Sequence, residues 1–93
     1  MNQFKEITEE RENTHGDYGR QCAITRSLKR TLHSYPEFAS LEDYKQEALD
    51  FFCVKMGRIL AGNSDFHDHW ADIGGYASET LEEIEKQNNR GVL

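Results

Sequence analysis

The sequence predicts an all-α protein, a small helical bundle of three main helices plus a short N-terminal helix. Three observations predict it. Apolar residues recur at three- and four-residue steps in four stretches of the chain. No apolar–polar alternation runs long enough for a useful strand. The one proline, Pro36, falls between helical stretches and interrupts none of them.

The N-terminal helix is expected over about residues 3–11, where it would bury Phe4 and Ile7 and leave Glu9, Glu10 and Glu12 in solvent. "NTHGDYG" then reads as a loop, with Asp17 as the N-cap of the next helix. That second helix is expected over about residues 18–33, with Tyr18, Cys22, Thr25, Leu28 and Leu32 on one face. "SYPEFAS" breaks it, and Pro36 pushes Tyr35 out of helical conformation. Ser40 followed by Asp43 resembles a capping box and would open the third helix. Leu41, Leu49, Phe52, Cys53, Met56, Ile59 and Leu60 form its apolar stripe, and Gly62–Asn63 ends it. Ser64 would cap the fourth helix, with Asp65 and Asp68 where the helix dipole favours acids. Phe66, Trp70, Ile73, Ala77, Leu81 and Ile84 are its expected core face, and the tail "QNNRGVL" is expected to fray.

Ninety-three residues make a single domain, 1–93, with its core expected over about 15–87. Apolar residues are 37% of the chain and mean hydropathy is −0.83, so the core is modest and a homodimer is expected to supplement it. No apolar run is long enough to cross a bilayer, and the N-terminus lacks signal-peptide form, so a cytoplasmic setting without membrane contact is expected. Cys22 and Cys53 lie among apolar residues with no partner at metal-ligand spacing, which suggests buried reduced thiols. A net charge of −6 argues against direct nucleic-acid binding. The charge is uneven: Arg20, Arg26, Lys29 and Arg30 meet no acid between Tyr18 and Pro36, while Asp65, Asp68, Asp72, Glu79, Glu82, Glu83 and Glu85 crowd the last third.

The polar faces are patterned as well. Glu47, Phe51, Lys55 and Arg58 form a stripe on the third helix, with Asp50 one turn from Glu47. Asp65, Asp68, Asp72, Tyr76 and Glu79 form another on the fourth. Either these are solvent faces carrying weak i,i+4 ion pairs, or they face each other across a polar pocket. In the second case carboxylates from two helices would hold Mg²⁺ or Mn²⁺, and Lys55, Arg58 and Arg20 would hold phosphate oxygens. His67 and His69 of "HDH" are two apart on a helix and do not share a face, which disfavours a metal pair. His15, before Gly16, is a candidate ligand contact or a loop hydrogen-bonding residue. Adjacent glycines Gly74 and Gly75 cost helix stability. A close approach of the second helix, a partner copy or a bound base would explain them, as would a kink.

"HGDYG" at 15–19, "KMGRIL" at 55–60 and "DHWADIGGYA" at 68–77 together resemble a family of short phage and prophage proteins of unassigned activity. A sister family, associated with nucleotide modification in phages, is similar at the same three places. Both resemble, at a distance, the MazG-like all-α nucleoside triphosphate pyrophosphohydrolases, which are helical bundles, usually dimeric, that bind Mg²⁺ through acids on two helices. The resemblance implies that Glu47 and Asp50 match the Glu-x-x-Asp pair of that group. It also sets Asp68 and Asp72 in the family's Asp-x-x-x-Asp, and Lys55 and Arg58 in its Lys-x-x-Arg. Asp17 and Tyr18, inside the first block, join the candidate ligand-binding set with Tyr76. The upstream Glu-Glu-x-x-Glu of the pyrophosphohydrolases has no counterpart, because the helix in that place is the basic one.

Two functional expectations follow. One is a small nucleotide-binding protein, with Mg²⁺-dependent pyrophosphohydrolysis as its enzymatic form. Glu47, Asp50, Asp68 and Asp72 would then hold the metal, Glu47, Asp50 and Asp72 would serve catalysis, and Lys55 and Arg58 would neutralise phosphate. The other is a non-enzymatic phage protein that binds a host protein through its acidic last helix. The two are discriminated by whether the acids converge around Lys55 or spread over an outer face.

Overall fold

A computed structural model describes residues 2–92 of the chain. It is all-α, with five helices in the order α1 (Asn2–His15), α2 (Tyr18–His33), α3 (Pro36–Ala39), α4 (Asp43–Ala61) and α5 (His67–Val92). Two elements differ from expectation. α1 is 14 residues long and carries "NTH" in its last turn, because Gly16, at φ 79, ends it in the left-handed region. Pro36 opens the one-turn helix α3 where only a break was expected, since its fixed φ suits a first helical position.

The caps divide in the same way. Asp17 caps α2 as expected, its Oδ2 accepting from the Arg20 N–H at 2.8 Å. Tyr35 is extended before Pro36, also as expected. Ser40 does not open α4: its hydroxyl donates to the Glu37 carbonyl, and the N-cap is Glu42. Ser64 does not open α5. The loop closes instead through the Asp65 N–H on Asn63 Oδ1 at 2.9 Å, and the Ser64 carbonyl accepts the Trp70 indole N–H at 2.7 Å. α5 continues as helix through the expected frayed tail to Val92.

α4 is the central helix of the fold. It packs against α2 on one side and α5 on the other, and α2 and α5 make at most marginal contact. Both neighbours run antiparallel to α4. Along α5 the pairs Lys55–Asp72 and Phe51–Tyr76 show it. Along α2 they are Arg58–Gln21 and Asp50–His33. α1 is fastened by its C-terminal end, where the Thr14 carbonyl accepts from the Asn63 N–H at 3.0 Å. The rest of α1 stands away, so Phe4 and Ile7 are exposed, contrary to expectation.

Three glycines let the backbones approach. A Cβ on Gly16 would lie 2.0 Å from the Ala61 carbonyl oxygen, and one on Gly62 would lie 2.4 Å from the His15 carbonyl carbon. One on Gly57 would meet Thr25 Oγ1 at 2.2 Å, at the α2–α4 contact. Gly74 and Gly75 have nothing within 4 Å of their Cβ positions, so within this chain they seat neither α2 nor any other element.

The apolar core is thin. Ala48 and Cys53 are its buried apolar residues, joined by the polar Thr25, Lys55 and His69. Only part of the expected core face of α5 is turned inward: Phe66, Ile73 and Ile84 are half-buried, while Trp70 and Leu81 are each more than half exposed and Ala77 is exposed. The stripe that meets α4 is one residue away, His69, Asp72 and Tyr76.

Candidate functional site

The two polar stripes read from the sequence do face each other. Phe51 stacks on Tyr76 with ring centroids 3.6 Å apart and 16° between planes. One turn on, Lys55 Nζ meets Asp72 Oδ2 at 2.6 Å while lying 5.2 Å from the centre of the Phe51 ring. The Lys55 side chain is 7% exposed and that of Asp72 is 48% exposed. The Lys55 ammonium donates to Asp72 and holds its carboxyl below the usual carboxylate range. Lys55 and Tyr76 are therefore occupied in joining α4 to α5, and the stripes meet there as an interface; they wall an open groove only beyond Tyr76, where Glu47 and Glu79 lie.

The four candidate metal ligands do not converge. Asp72 is held by Lys55. Asp50, on the α2 side of α4, accepts from His33 Nε2. Asp68 lies near the exposed His67. Glu47 lines an open groove with Tyr44, Tyr76, Glu79, Glu83 and Lys86. Among the described residues no three His, Cys, Asp or Glu side chains are grouped so as to hold a metal ion. The donor set that the resemblance implies for Mg²⁺ is thus spread over separate places and does not fit a bound ion.

A different place gathers cations. Between α1, α2 and α4 a cleft of about 340 Å³ is lined by Thr8, Arg11, Glu12, His15, Gly16, Tyr18, Gln21 and Arg58. Three local causes build it. The left-handed Gly16 lets the chain turn from α1 into α2 against the Ala61–Gly62 backbone. The Asp17 cap then fixes Tyr18, a residue 70% exposed, at the start of α2. Gln21 Oε1 accepts from Arg58 Nε at 2.9 Å and orients the guanidinium. That bond goes to a neutral amide. Among the described residues no carboxylate lies within ion-pair distance of Arg11 or Arg58. Burial lowers the Arg58 pKa, and Arg11 lowers it further. Two guanidinium groups that repel one another beside a cleft form an electrostatic vacancy for an anion.

His15 and His69 support this cleft from below. Among the described residues His69 is the most buried side chain, at 1% exposure, and its Nε2–H donates to the Thr14 carbonyl at 2.9 Å. The His15 ring meets the His69 ring edge-on at 4.8 Å, and Phe66 packs on both. Burial first, then the charges of Arg58, His69, Arg11 and Lys55, lower the His15 pKa from 6.5 to about 4. At neutral pH His15 is therefore an uncharged wall of the cleft.

Of the sequence-stripe candidates, Tyr18 and Arg58 line this cleft, Asp17 shapes it as a cap, and Arg20 is exposed on the first turn of α2. Lys55, Tyr76 and the four carboxylates lie elsewhere. The sequence reading missed Arg11, Gln21 and the burial of His69. Arg11 carried no signal, since "EERENT" reads as a solvated face. His69 was visible only as half of a discounted metal pair. No helix is long and apolar enough to cross a membrane among the described residues. No family model, no curated protein and no solved structure matches the chain.

Proposed function

We propose that this protein binds a phosphate-bearing small molecule, a nucleotide, in the cleft between α1, α2 and α4. One observation carries the reading: Arg11 and Arg58 border the cleft without a carboxylate partner, beside the exposed ring of Tyr18. The arginines would take phosphate oxygens through charge-assisted hydrogen bonds, and Tyr18 would stack on a base. A nucleotide ligand and reduced thiols both suit the cytoplasm. Pyrophosphohydrolysis is the less favoured form of this reading, because the acids that would hold Mg²⁺ or Mn²⁺ are apart.

Calorimetric titration with the common nucleoside tri-, di- and monophosphates tests the reading. The expected result is binding that strengthens with phosphate number and weakens at least ~10-fold in Arg58→Gln, as loss of one charge-assisted contact implies. No binding of any nucleotide would overturn it. Separation of the products on an anion-exchange column reports hydrolysis in the same samples.

A second reading has its own support. Asp68, Glu79 and Glu82 are exposed along α5, and Asp65 just before it, instead of gathering around Lys55. That arrangement suits an acidic surface for a basic host protein. A pull-down that depends on these acids and is unaffected by Arg58→Gln would favour it.

A further inference from the structure

We infer, resting on the nucleotide reading above, that the cleft has a second compartment around Arg26 that takes a phosphate on the 3′ side of the ligand, so that the ligand is a nucleoside 3′,5′-bisphosphate. The compartment is a groove of about 220 Å³ beside the first cleft. Tyr18, Gln21 and Arg58 line both, so these three residues form the partition between them. Arg11 lines the first cleft only, and Arg26 the second only.

The helix places Arg26 there. Tyr18, Gln21, Cys22, Thr25 and Arg26 follow one another at steps that keep them on one face of α2. Arg26 lies about 12 Å along the axis from Tyr18, one side of the partition, while Arg11 reaches it from α1. α2 carries no acid. Among the described residues no acid lines the second groove, and no carboxylate lies within ion-pair distance of Arg26. A guanidinium so placed is free to bind an anion.

Volume separates the two roles. The first cleft, at about 340 Å³, lies inside the usual range for a small-molecule site, about 300–1,000 Å³, and the second groove falls below it. The second groove is therefore room for one further group of a ligand seated in the first. With its base on Tyr18 and its 5′ phosphate between Arg11 and Arg58, a nucleotide sets its ribose over the partition. The group that reaches Arg26 is then carried on the other side of the sugar, at the 3′ oxygen. A longer 5′ chain stays with Arg11 and Arg58. A nucleic acid strand also has phosphates on both sides of each sugar, but a chain of net charge −6 repels the rest of the strand.

Calorimetric titration of the full chain with 5′-AMP, ATP and adenosine 3′,5′-bisphosphate tests the inference. ATP carries comparable charge in a single 5′ chain, so its difference from the bisphosphate reports where the phosphate is attached. The bisphosphate is expected to bind at least ~10-fold tighter than ATP, and Arg26→Gln to erase that advantage. Arg26 is exposed, so the substitution leaves the fold in place. ATP binding as tightly as the bisphosphate, or an equal loss on all three ligands in Arg26→Gln, overturns the inference and leaves the nucleotide reading standing. Absence of binding by all three overturns both. A 5′-phosphorylated dinucleotide that binds at least ~10-fold tighter than the bisphosphate overturns the assignment to a free nucleotide in favour of a strand end.

Discussion

Gly16→Ala is expected to destabilise the fold by about 3–5 kcal/mol, and Gly75→Ala to stabilise it by up to about 1 kcal/mol. At Gly16 the φ of 79 lies in the left-handed region, which costs an alanine roughly 1–2 kcal/mol. The new Cβ would also sit 2.0 Å from the Ala61 carbonyl oxygen, and that neighbour is backbone, so the end of α1 must move off α4. The movement breaks two bonds on the Thr14 carbonyl, one from the Asn63 N–H at 3.0 Å and one from His69 Nε2 at 2.9 Å. Each is worth about 0.5–1.5 kcal/mol net, and the nearly inaccessible His69 N–H stands at the upper end or beyond. Gly75 is helical with open space at its Cβ position, so alanine gains helix propensity there and meets nothing. Thermal melts by far-UV circular dichroism, at one fixed protein concentration, should show a fall of roughly 15–30 °C for the first variant and a rise of up to roughly 8 °C for the second. A Gly16→Ala variant within 1 kcal/mol of wild type would refute the close-approach argument.

Asp72→Ala leaves the nearly buried Lys55 ammonium without its carboxylate. It is expected to lower the urea midpoint of unfolding, by less than loss of a fully buried pair would because Asp72 is half exposed. Lys55→Met, which removes the charge and keeps the packing stem, should cost less than Asp72→Ala; the reverse order would contradict the pairing. Stability should also fall as pH drops from 6.5 toward 4. The unfolded His15 takes a proton near 6.5 while the folded one resists until about 4, so the unfolded state binds more protons across that window. Denaturation midpoints of wild type and His15→Gln should converge in their pH dependence above about 6.5 and diverge below it. A second loss follows at lower pH, below the ordinary aspartate value of 3.8, where Asp72 must be protonated away from Lys55.

The helices were legible because local chemistry sets them. The span of α2 follows from its Asp17 cap and the Pro36 break, and both act within a few residues. Gly62 ends α4 for the same reason. The Ser40 and Ser64 caps were misread because a serine hydroxyl can serve a turn as readily as a helix, and here Ser40 bonds back to Glu37. The glycines show the limit more sharply. Gly74 and Gly75 stand out in sequence because they interrupt a good helix, yet nothing approaches them within the chain. Gly16, Gly57 and Gly62 do the close packing, and each looks ordinary in sequence because its reason lies on a different element.

The candidate site divides along the same line. Matching stripes on the last two helices were visible from spacing, and they do meet. Spacing fixes which residues share a face, but the chemistry at the meeting depends on distance. At 2.6 Å, Lys55 and Asp72 satisfy each other and leave neither a phosphate to hold nor a metal to bind. Arg58, three residues along, is bonded to the Gln21 amide and, like Arg11, meets no carboxylate within ion-pair distance among the described residues. The apolar stripes follow an equivalent logic. The period of Trp70, Ile73, Ala77 and Leu81 predicts that this face is to be covered, and the hydrophobic effect that demands cover is the same whether it comes from within the chain or from another copy. An own-chain core is the simpler expectation for a single domain. It fails in part here because α4 and α5 are joined one residue away, through an ion pair and an aromatic stack, and that choice turns part of the apolar face of each helix outward.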